Sequence, residues 1–559
     1  MPRFVFGSLE FDTPVREMIA SKTGEVLSVL EFAEREAKAG AYVAVMLSYE
    51  AAPAFDPVLA VHEASEFPLA WAAAFDTPTD LASSDARPAA NSWTPRVSRA
   101  EYDQAVTRIK ELIAAGDTYQ VNYTFPLTTA FNGDAYAWYR ALDEAQGAQY
   151  SAYIDLGRYQ VLSLSPELFF ERRGEHVITK PMKGTVGRGR WRGEDEALAQ
   201  WLRHSTKDRA ENVMILDLLR NDLGKVSVTG SVNVTSLFEL ERFETVWQMT
   251  STVESTLRDG TTLAELLTAL FPCGSITGAP KIRTMRIIRD LERFARGAYT
   301  GAIGLLRPGG DCVFNVAIRT VVIDAETKRA TFGVGGGVTI DSTAEREYEE
   351  CLVKSRFLSS PAVEFQLFES MLLEAGEYFL LEEHLERLRN SAEYFGYTFP
   401  GTRINTDLER IAIENSRSAF KVRLALWKDG RIDTHVSPLG SVSDQSVRLA
   451  TTAIDPSDRF LYHKTTLRDF SAEILHWNNR GEVTESGIAN LVVSIDDQLY
   501  TPPVSSGLLA GTFRNHLLAQ GKIKERVITT EELQDAEEFY LINSVRKWMR
   551  GSFSHKGTK

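Results

Sequence analysis

The sequence predicts an α+β architecture in two or three domains, and three observations lead there. The chain has 559 residues, more than one hydrophobic core organises. Strand-like runs dominate 118–180, helical runs fill 191–224, and mixed elements continue to 357, so the chain holds both strands and helices. After Ser359-Ser360-Pro361 the pattern restarts.

Taken in order, Glu25 to Lys38 carries apolar residues at helical spacing, and Ala41 to Leu47 reads as a strand. Asp76 to Thr94 is rich in Pro, Ser, Asp and Asn and reads as a loop. Ser98 with Glu101 three residues on has the form of a capping box. It opens a helix predicted to run to about Ala115, where Gly116-Asp117 ends it. Beyond Pro361 come a strand near Phe365–Leu373, a hairpin turn at Ala375-Gly376-Glu377 and a helix from about Glu382. The expected domains are 1–90, an N-terminal subregion packing on the next; 91–358; and 364–559.

Composition narrows the class. The chain is 43% apolar and 25% charged, the balance of a soluble globular protein. A net charge of -14 argues against nucleic acid or an anionic membrane as partner, so an anionic substrate must be met by local cations and backbone amides. Cys273, Cys312 and Cys351 are widely separated, without a CxxC pair or a disulfide framework. No apolar stretch approaches membrane-spanning length, and Met1-Pro2-Arg3-Phe4 has none of the marks of a signal peptide. The cytoplasm is the expected compartment.

Chemistry concentrates in a few motifs. Lys183 lies in Lys180-Pro181-Met182-Lys183-Gly184-Thr185, between strand-like residues and an arginine- and glycine-rich loop. A lysine desolvated there loses its proton more easily and becomes a nucleophile. Asp208 and Glu211 share a face of a predicted helix, and Glu347 and Glu350 repeat the spacing. Two such acidic pairs repel unless a hard cation, typically Mg²⁺, sits between them. Gly333-Val334-Gly335-Gly336-Gly337 is no dinucleotide fingerprint, because the third glycine is misplaced and no βαβ unit follows. Its glycines instead permit close backbone approach to a ligand.

These motifs, with Ser165-Pro166-Glu167, Phe271 to Lys281 and Glu347-Tyr348-Glu349-Glu350, stand in an order that resembles the chorismate-binding enzymes over roughly residues 95–357. The resemblance implies two antiparallel sheets sandwiched with helices, and chorismate as substrate. It places the metal on Glu211 and Glu350, with Asp208 and Glu347 assisting. It assigns the substrate to Thr185, Ser275, Tyr299, Arg319, the Gly335 and Gly337 amides and Lys354, and makes Glu167 the general acid for the departing 4-hydroxyl. Lys183 discriminates within the family: anthranilate synthases carry a small residue at this position, aminodeoxychorismate synthases a lysine. The implied chemistry is attack of Lys183 at C2 with loss of the C4 hydroxyl, then addition of ammonia at C4. Gln248 departs from the histidine of many relatives; it can bind substrate by hydrogen bonds but cannot transfer a proton at neutral pH. None of the cysteines sits in the nucleophile turn of a glutamine amidotransferase, so ammonia is expected from a separate glutaminase subunit or from solution.

Residues 364–555 resemble the fold-type IV pyridoxal-phosphate enzymes, which include aminodeoxychorismate lyase and the branched-chain and D-amino-acid aminotransferases. The resemblance rests on Phe368-Glu369-Ser370, His384 to Leu388, Lys464, Val483 to Leu491 and Gly507 to Arg514. It implies an α+β domain with Lys464 as the Schiff-base lysine and Glu485 at the pyridinium nitrogen. Arg387, Ser544 and the amides of Thr512 and Phe513 would hold the phosphate. Fusion to a domain that makes aminodeoxychorismate favours lyase over transaminase. Relatives of this type commonly dimerise, so a homodimer through this domain is an expectation. The rivals are an anthranilate synthase fused to an aminotransferase, a C-terminal domain that only mediates association, and a regulatory aromatic-amino-acid pocket in the first 80 residues, for which that segment is short.

Overall fold

The computed structural model describes residues 3–63, 65–79, 92–243, 245–359, 364–440, 445–468 and 471–553. Most of the predicted Asp76–Thr94 loop and the Ser359-Ser360-Pro361 boundary lie outside them. The chain divides into two units, Met1–Gly187 with Ala199–Ala362, and Arg188–Leu198 with Val363–Lys559.

The first unit is built on two antiparallel sheets of nine and ten strands. In the first sheet Gln120–Ala130 and Arg329–Val338 pair from Arg329 opposite Ala130 to Val338 opposite Val121. In the second, Val246–Thr256 pairs with His176–Thr179, with Met182–Gly187 and with Asn233–Arg242. The N-terminal strands enter both sheets: Phe4–Phe6 pairs with Ala152–Asp155, and Tyr42–Leu47 with Ala302–Leu306. Tyr42–Leu47 is an unbroken apolar run because both of its faces are covered. Val43, Val45 and Leu47 pack with Val29, Leu30 and Ala33 of the helix Val26–Lys38. Ala44 and Met46 face the other way, toward Phe4, Trp71 and Phe75.

Helices flank the sheets. Arg99–Ala114 starts at the capping box of Ser98 and Glu101 and buries Tyr102, Ala105, Val106 and Ile109. Thr206–Gly224, capped by the Ser205 side chain, and Ala344–Ser355 carry the two acidic pairs.

In the second unit, Leu367–Glu374, Glu377–Tyr378, Ala419–Leu426 and Ile432–Pro438 form a four-stranded sheet. Leu388, Ala392 and Phe395 of the helix Leu381–Phe395 and Ile404, Leu408 and Ile411 of Gly401–Glu414 cover one of its faces. A second, eight-stranded sheet is mixed: Gln445–Leu449 runs parallel to Ile474–Trp477 and to Lys547–Phe553. The segment Arg188–Leu198 is part of this unit. Its Gly189 carbonyl accepts the Tyr394 hydroxyl at 2.7 Å, and the Trp191 ring lies 5.0 Å from that of Tyr462. Among the described residues no helix is long and apolar enough to cross a membrane.

Candidate active sites

In the first unit the glycines of Arg329–Val338 let reactive groups reach the backbone from both faces. A Cβ on Gly337 would lie 2.5 Å from Lys183 Nζ and 2.7 Å from Gln120 Nε2; one on Gly336, whose side of the strand is opposite, would lie 3.0 Å from Glu347 Oε2. Between them, Lys354 Nζ donates to the Gly335 carbonyl at 3.0 Å and pairs with Glu350 at 2.8 Å. Burial lowers the pKa of Lys183, opposed first by Glu211 and then by Glu350 and Glu347. A lysine whose pKa burial lowers gives up its proton more easily, as a nucleophilic amine must.

Glu167 is buried, and its Oε1 accepts from Ser275 Oγ at 2.7 Å. Burial pushes the carboxyl up to about 7, although Ser275 and Lys183 pull it down. A carboxyl with that pKa holds a proton near neutrality and can donate it. Thr185 Oγ1 donates to Gln248 Oε1 at 3.0 Å across the paired strands.

Arg319 has a left-handed backbone, φ 50°, as does Thr300 at 62°, conformations costly for residues with side chains. The Arg319 guanidinium donates to the neutral Gln146 Oε1 at 3.1 Å, and burial brings its pKa down to about 10. A partly desolvated cation answered, among the described residues, by a neutral amide suits an anionic ligand. Tyr299 is buried with its ring against Gly333, where any Cβ would fall 2.1 Å from it.

Among the four carboxylates, Asp208 packs against Gly184 and accepts from Ser205 Oγ. Glu347 accepts from Ser342 Oγ at 2.7 Å. Glu211 is pushed up by burial; Glu350 is held down by Lys354. Among the described residues no three His, Cys, Asp or Glu side chains cluster closely enough to cage a metal. Glu211 and Glu350 carry the hard oxygen donors that Mg²⁺ takes.

In the second unit Lys464 follows the short turn Arg459–Tyr462. Its amine lies 5.1 Å from the centre of the Phe368 ring, and burial, aided by Arg387, brings its pKa down to about 7. Glu485 is buried and accepts from Arg468 Nη2 at 2.5 Å, Leu509 N at 2.7 Å and Asn490 Nδ2 at 3.0 Å. A carboxylate has about four acceptor positions, and these three donors among the described residues leave one for a protonated ring nitrogen.

Arg387 is forked onto Glu369, Nη2 at 2.6 Å and Nε at 2.8 Å, and its Nη1 donates to the Ala510 carbonyl at 3.2 Å. Burial opposes the charge of Glu369, yet Arg387 and His384 hold its pKa at about 2. Two of the five guanidinium protons remain for a phosphate. They stand beside the N-terminus of the helix Thr512–Ala519, which has no side-chain cap and so leaves its first N–H groups free. Glycine is required at its start, because a Cβ on Gly511 would strike Asn490 Oδ1 at 2.0 Å. These groups fit pyridoxal phosphate. Phe513 packs its ring near Phe379 and Trp548, leaving its backbone for the ligand. Ser544 Oγ donates to the Ser370 carbonyl at 3.4 Å.

Sequence reasoning gave no role to Glu369, Arg468 or Gln120. Glu369 and Arg468 were visible only as letters within motifs. Gln120 is fully buried with both amide atoms lacking a hydrogen-bond partner among the described residues. Its signal is three-dimensional, since it meets Lys183 only across Gly337.

Residues 10–360 match the chorismate binding enzymes, and 366–552 match the class IV amino-transferases. Aminodeoxychorismate synthase component 1 of Bacillus subtilis is 41% identical over 266 residues, 48% of this chain and 56% of that protein. Anthranilate synthase component 1 of Thermus thermophilus is 40% identical over 261 residues, 47% of this chain and 56% of that one. The chain thus spans a little over half the length of these curated relatives. The structure of anthranilate synthase component I from Streptococcus pneumoniae has 26% identity and a TM-score of 0.57, covering 64% of this chain and 92% of that one. With the family matched over residues 10–360, more than half of its length, this chain belongs to the chorismate binding enzymes.

Proposed function

We propose that the chain makes 4-aminobenzoate in two steps. The first converts chorismate and ammonia to 4-amino-4-deoxychorismate and water. The amine of Lys183 attacks C2 of the ring, both ring double bonds shift, and the C4 hydroxyl leaves as water with the proton of Glu167. Ammonia then adds at C4, both double bonds shift back, the lysine departs as its free amine, and the surplus proton returns to Glu167. Arg319 and Lys354 bind substrate carboxylate, Tyr299 and the Gly335 and Gly337 amides border the ring, and Thr185, Gln248 and Ser275 supply polar contacts. Mg²⁺ on Glu211 and Glu350, with Asp208 and Glu347 behind them, would neutralise negative charge brought by the substrate.

One observation carries this reading: the amine of Lys183, its pKa lowered by burial, stands at Gly337 in a unit whose carboxyl Glu167 is pushed up to about 7 by burial. Anthranilate synthases, which the chain resembles as strongly, have a small residue where Lys183 stands. The relative's designation as a component supports a partner subunit, a glutamine amidotransferase, as the source of ammonia.

The second step eliminates pyruvate from aminodeoxychorismate and leaves the aromatic 4-aminobenzoate. Pyridoxal phosphate, when bound, supplies an electron sink. Arg387 and the amides of Thr512 and Phe513 would hold its phosphate, Ser544 would add a hydroxyl, and Glu485 would keep its ring nitrogen protonated. Lys464, with a pKa about 7, is suited to accept the proton from the carbon that bears the amine. The test is the product formed from chorismate and ammonium: 4-aminobenzoate with pyruvate supports the proposal, and anthranilate refutes it.

A further inference from the structure

Arg423 lies mid-strand in Ala419–Leu426, with its guanidinium 3.8 Å over the centre of the Phe368 ring. The amine of Lys464 lies 5.1 Å from the centre of the same ring. Phe368 is fixed there because its N–H donates to the Lys464 carbonyl at 3.0 Å and Leu367 bridges to Thr465.

Strand register sets the direction of Arg423. Val422, Leu424 and Leu426 are buried in one core with Leu367, Met371 and Leu373. Phe368, Ser370, Lys421, Arg423 and Ala425 therefore share the opposite face. On it Arg423 stands between Ser370 and His435. The nearest acid in register on this face, Asp433 opposite Ala425, makes no ion pair with Arg423 among the described residues, and Glu369, opposite Leu424, belongs to the other face. Burial alone pulls the Arg423 pKa below its ordinary value, and the Lys421 amine is lowered by burial and then by Arg423 and Arg546. Three mutually repelling cations gather here in a chain whose net charge is -14.

We propose that Arg423 is the specificity residue of the second site, binding a carboxylate that the substrate carries at the end of its ring remote from the reacting amine. A guanidinium offers a carboxylate two parallel N–H donors, and stacking on Phe368 holds that fork in place. The proposal rests on the lyase reading for the identity of the substrate, but its test does not require turnover.

The test is calorimetric titration of the full chain, loaded with pyridoxal phosphate, with 4-aminobenzoate and with aniline, which lacks the carboxylate. Wild type is expected to bind 4-aminobenzoate at least tenfold more tightly than aniline. Arg423→Gln is expected to lose that ratio while keeping its affinity for aniline and its cofactor absorbance. Arg423→Lys, which keeps the charge without the fork, should retain part of it. A wild type without preference, or an Arg423→Gln protein with the ratio unchanged, overturns the proposal. If the glutamine variant loses its cofactor band, Arg423→Lys decides, and an unchanged ratio there counts against it equally. Failure of the lyase reading shows separately, as wild type that makes no 4-aminobenzoate from aminodeoxychorismate.

Discussion

The amine of Lys183 occupies space that a side chain at Gly337 would need: a Cβ there would lie 2.5 Å from Nζ. Gly337 is outside the left-handed region, so alanine is compatible with its backbone and the clash is its main effect. Gly337→Ala should therefore keep the melting temperature while displacing Lys183 and Gln120. The expected loss in aminodeoxychorismate formation is about 10²-fold, the usual result of misplacing a reacting group by an ångström. Steady-state assay beside thermal unfolding checks it; full activity with a methyl group at 337 contradicts the placement.

As the proposed proton donor, Glu167 is expected to set the pH dependence of the first step. With its carboxyl at about 7, the proton it donates is lost as pH rises, so kcat/KM should have a falling limb near 7. Glu167→Gln should cost about 10²–10⁴-fold and abolish that limb. Ser275 donates to the ionised form and lowers the pKa, so Ser275→Ala should move the limb to higher pH. The same shift is linked to folding. The folded pKa is above the unfolded one, so this group's contribution to stability is full below about 4.5 and lost as pH rises through about 7.

The unit that carries Lys464 includes Arg188–Leu198, far away in sequence. Arg188 Nε pairs with Asp195 at 2.7 Å, Gly189 accepts from Tyr394, and Trp191 packs on Tyr462, two residues before Lys464. A fragment beginning at residue 364 lacks all of these. It should melt several degrees below the corresponding transition of the whole chain, at about 2–4 °C per kcal/mol lost. Trp191→Ala in the whole chain should lower that transition in the same direction. Equal melting of fragment and whole chain would show that the segment contributes nothing.

Much of the architecture was legible because local signals and tertiary context agree. The capping box at Ser98 and Glu101 starts Arg99–Ala114 as expected, and the strand predicted over Ala41–Leu47 is observed as Tyr42–Leu47. The helix predicted from about Glu382 runs Leu381–Phe395, and the turn at Ala375-Gly376 joins paired strands. The glycine run is a strand that side chains of the chain itself approach closely from both faces, Lys183 and Gln120 at Gly337 and Glu347 at Gly336. What was not legible depends on pairing between distant residues. Phe4–Phe6 finds its partner near residue 153 and Tyr42–Leu47 near 304, and nothing local to either strand names that partner. Glu369 on Arg387, Arg468 on Glu485 and Gln120 beside Lys183 are likewise products of the fold.

The central claim is that Lys183 and Lys464 serve two successive reactions. The most direct measurement uses Lys183→Ala and Lys464→Ala separately and mixed, supplied with chorismate, ammonium, Mg²⁺ and pyridoxal phosphate. Lys464→Ala alone should accumulate aminodeoxychorismate, Lys183→Ala alone should form no product yet convert added aminodeoxychorismate to 4-aminobenzoate, and the mixture should restore 4-aminobenzoate and pyruvate. Anthranilate from Lys464→Ala, or 4-aminobenzoate from either variant alone on chorismate, would contradict the account.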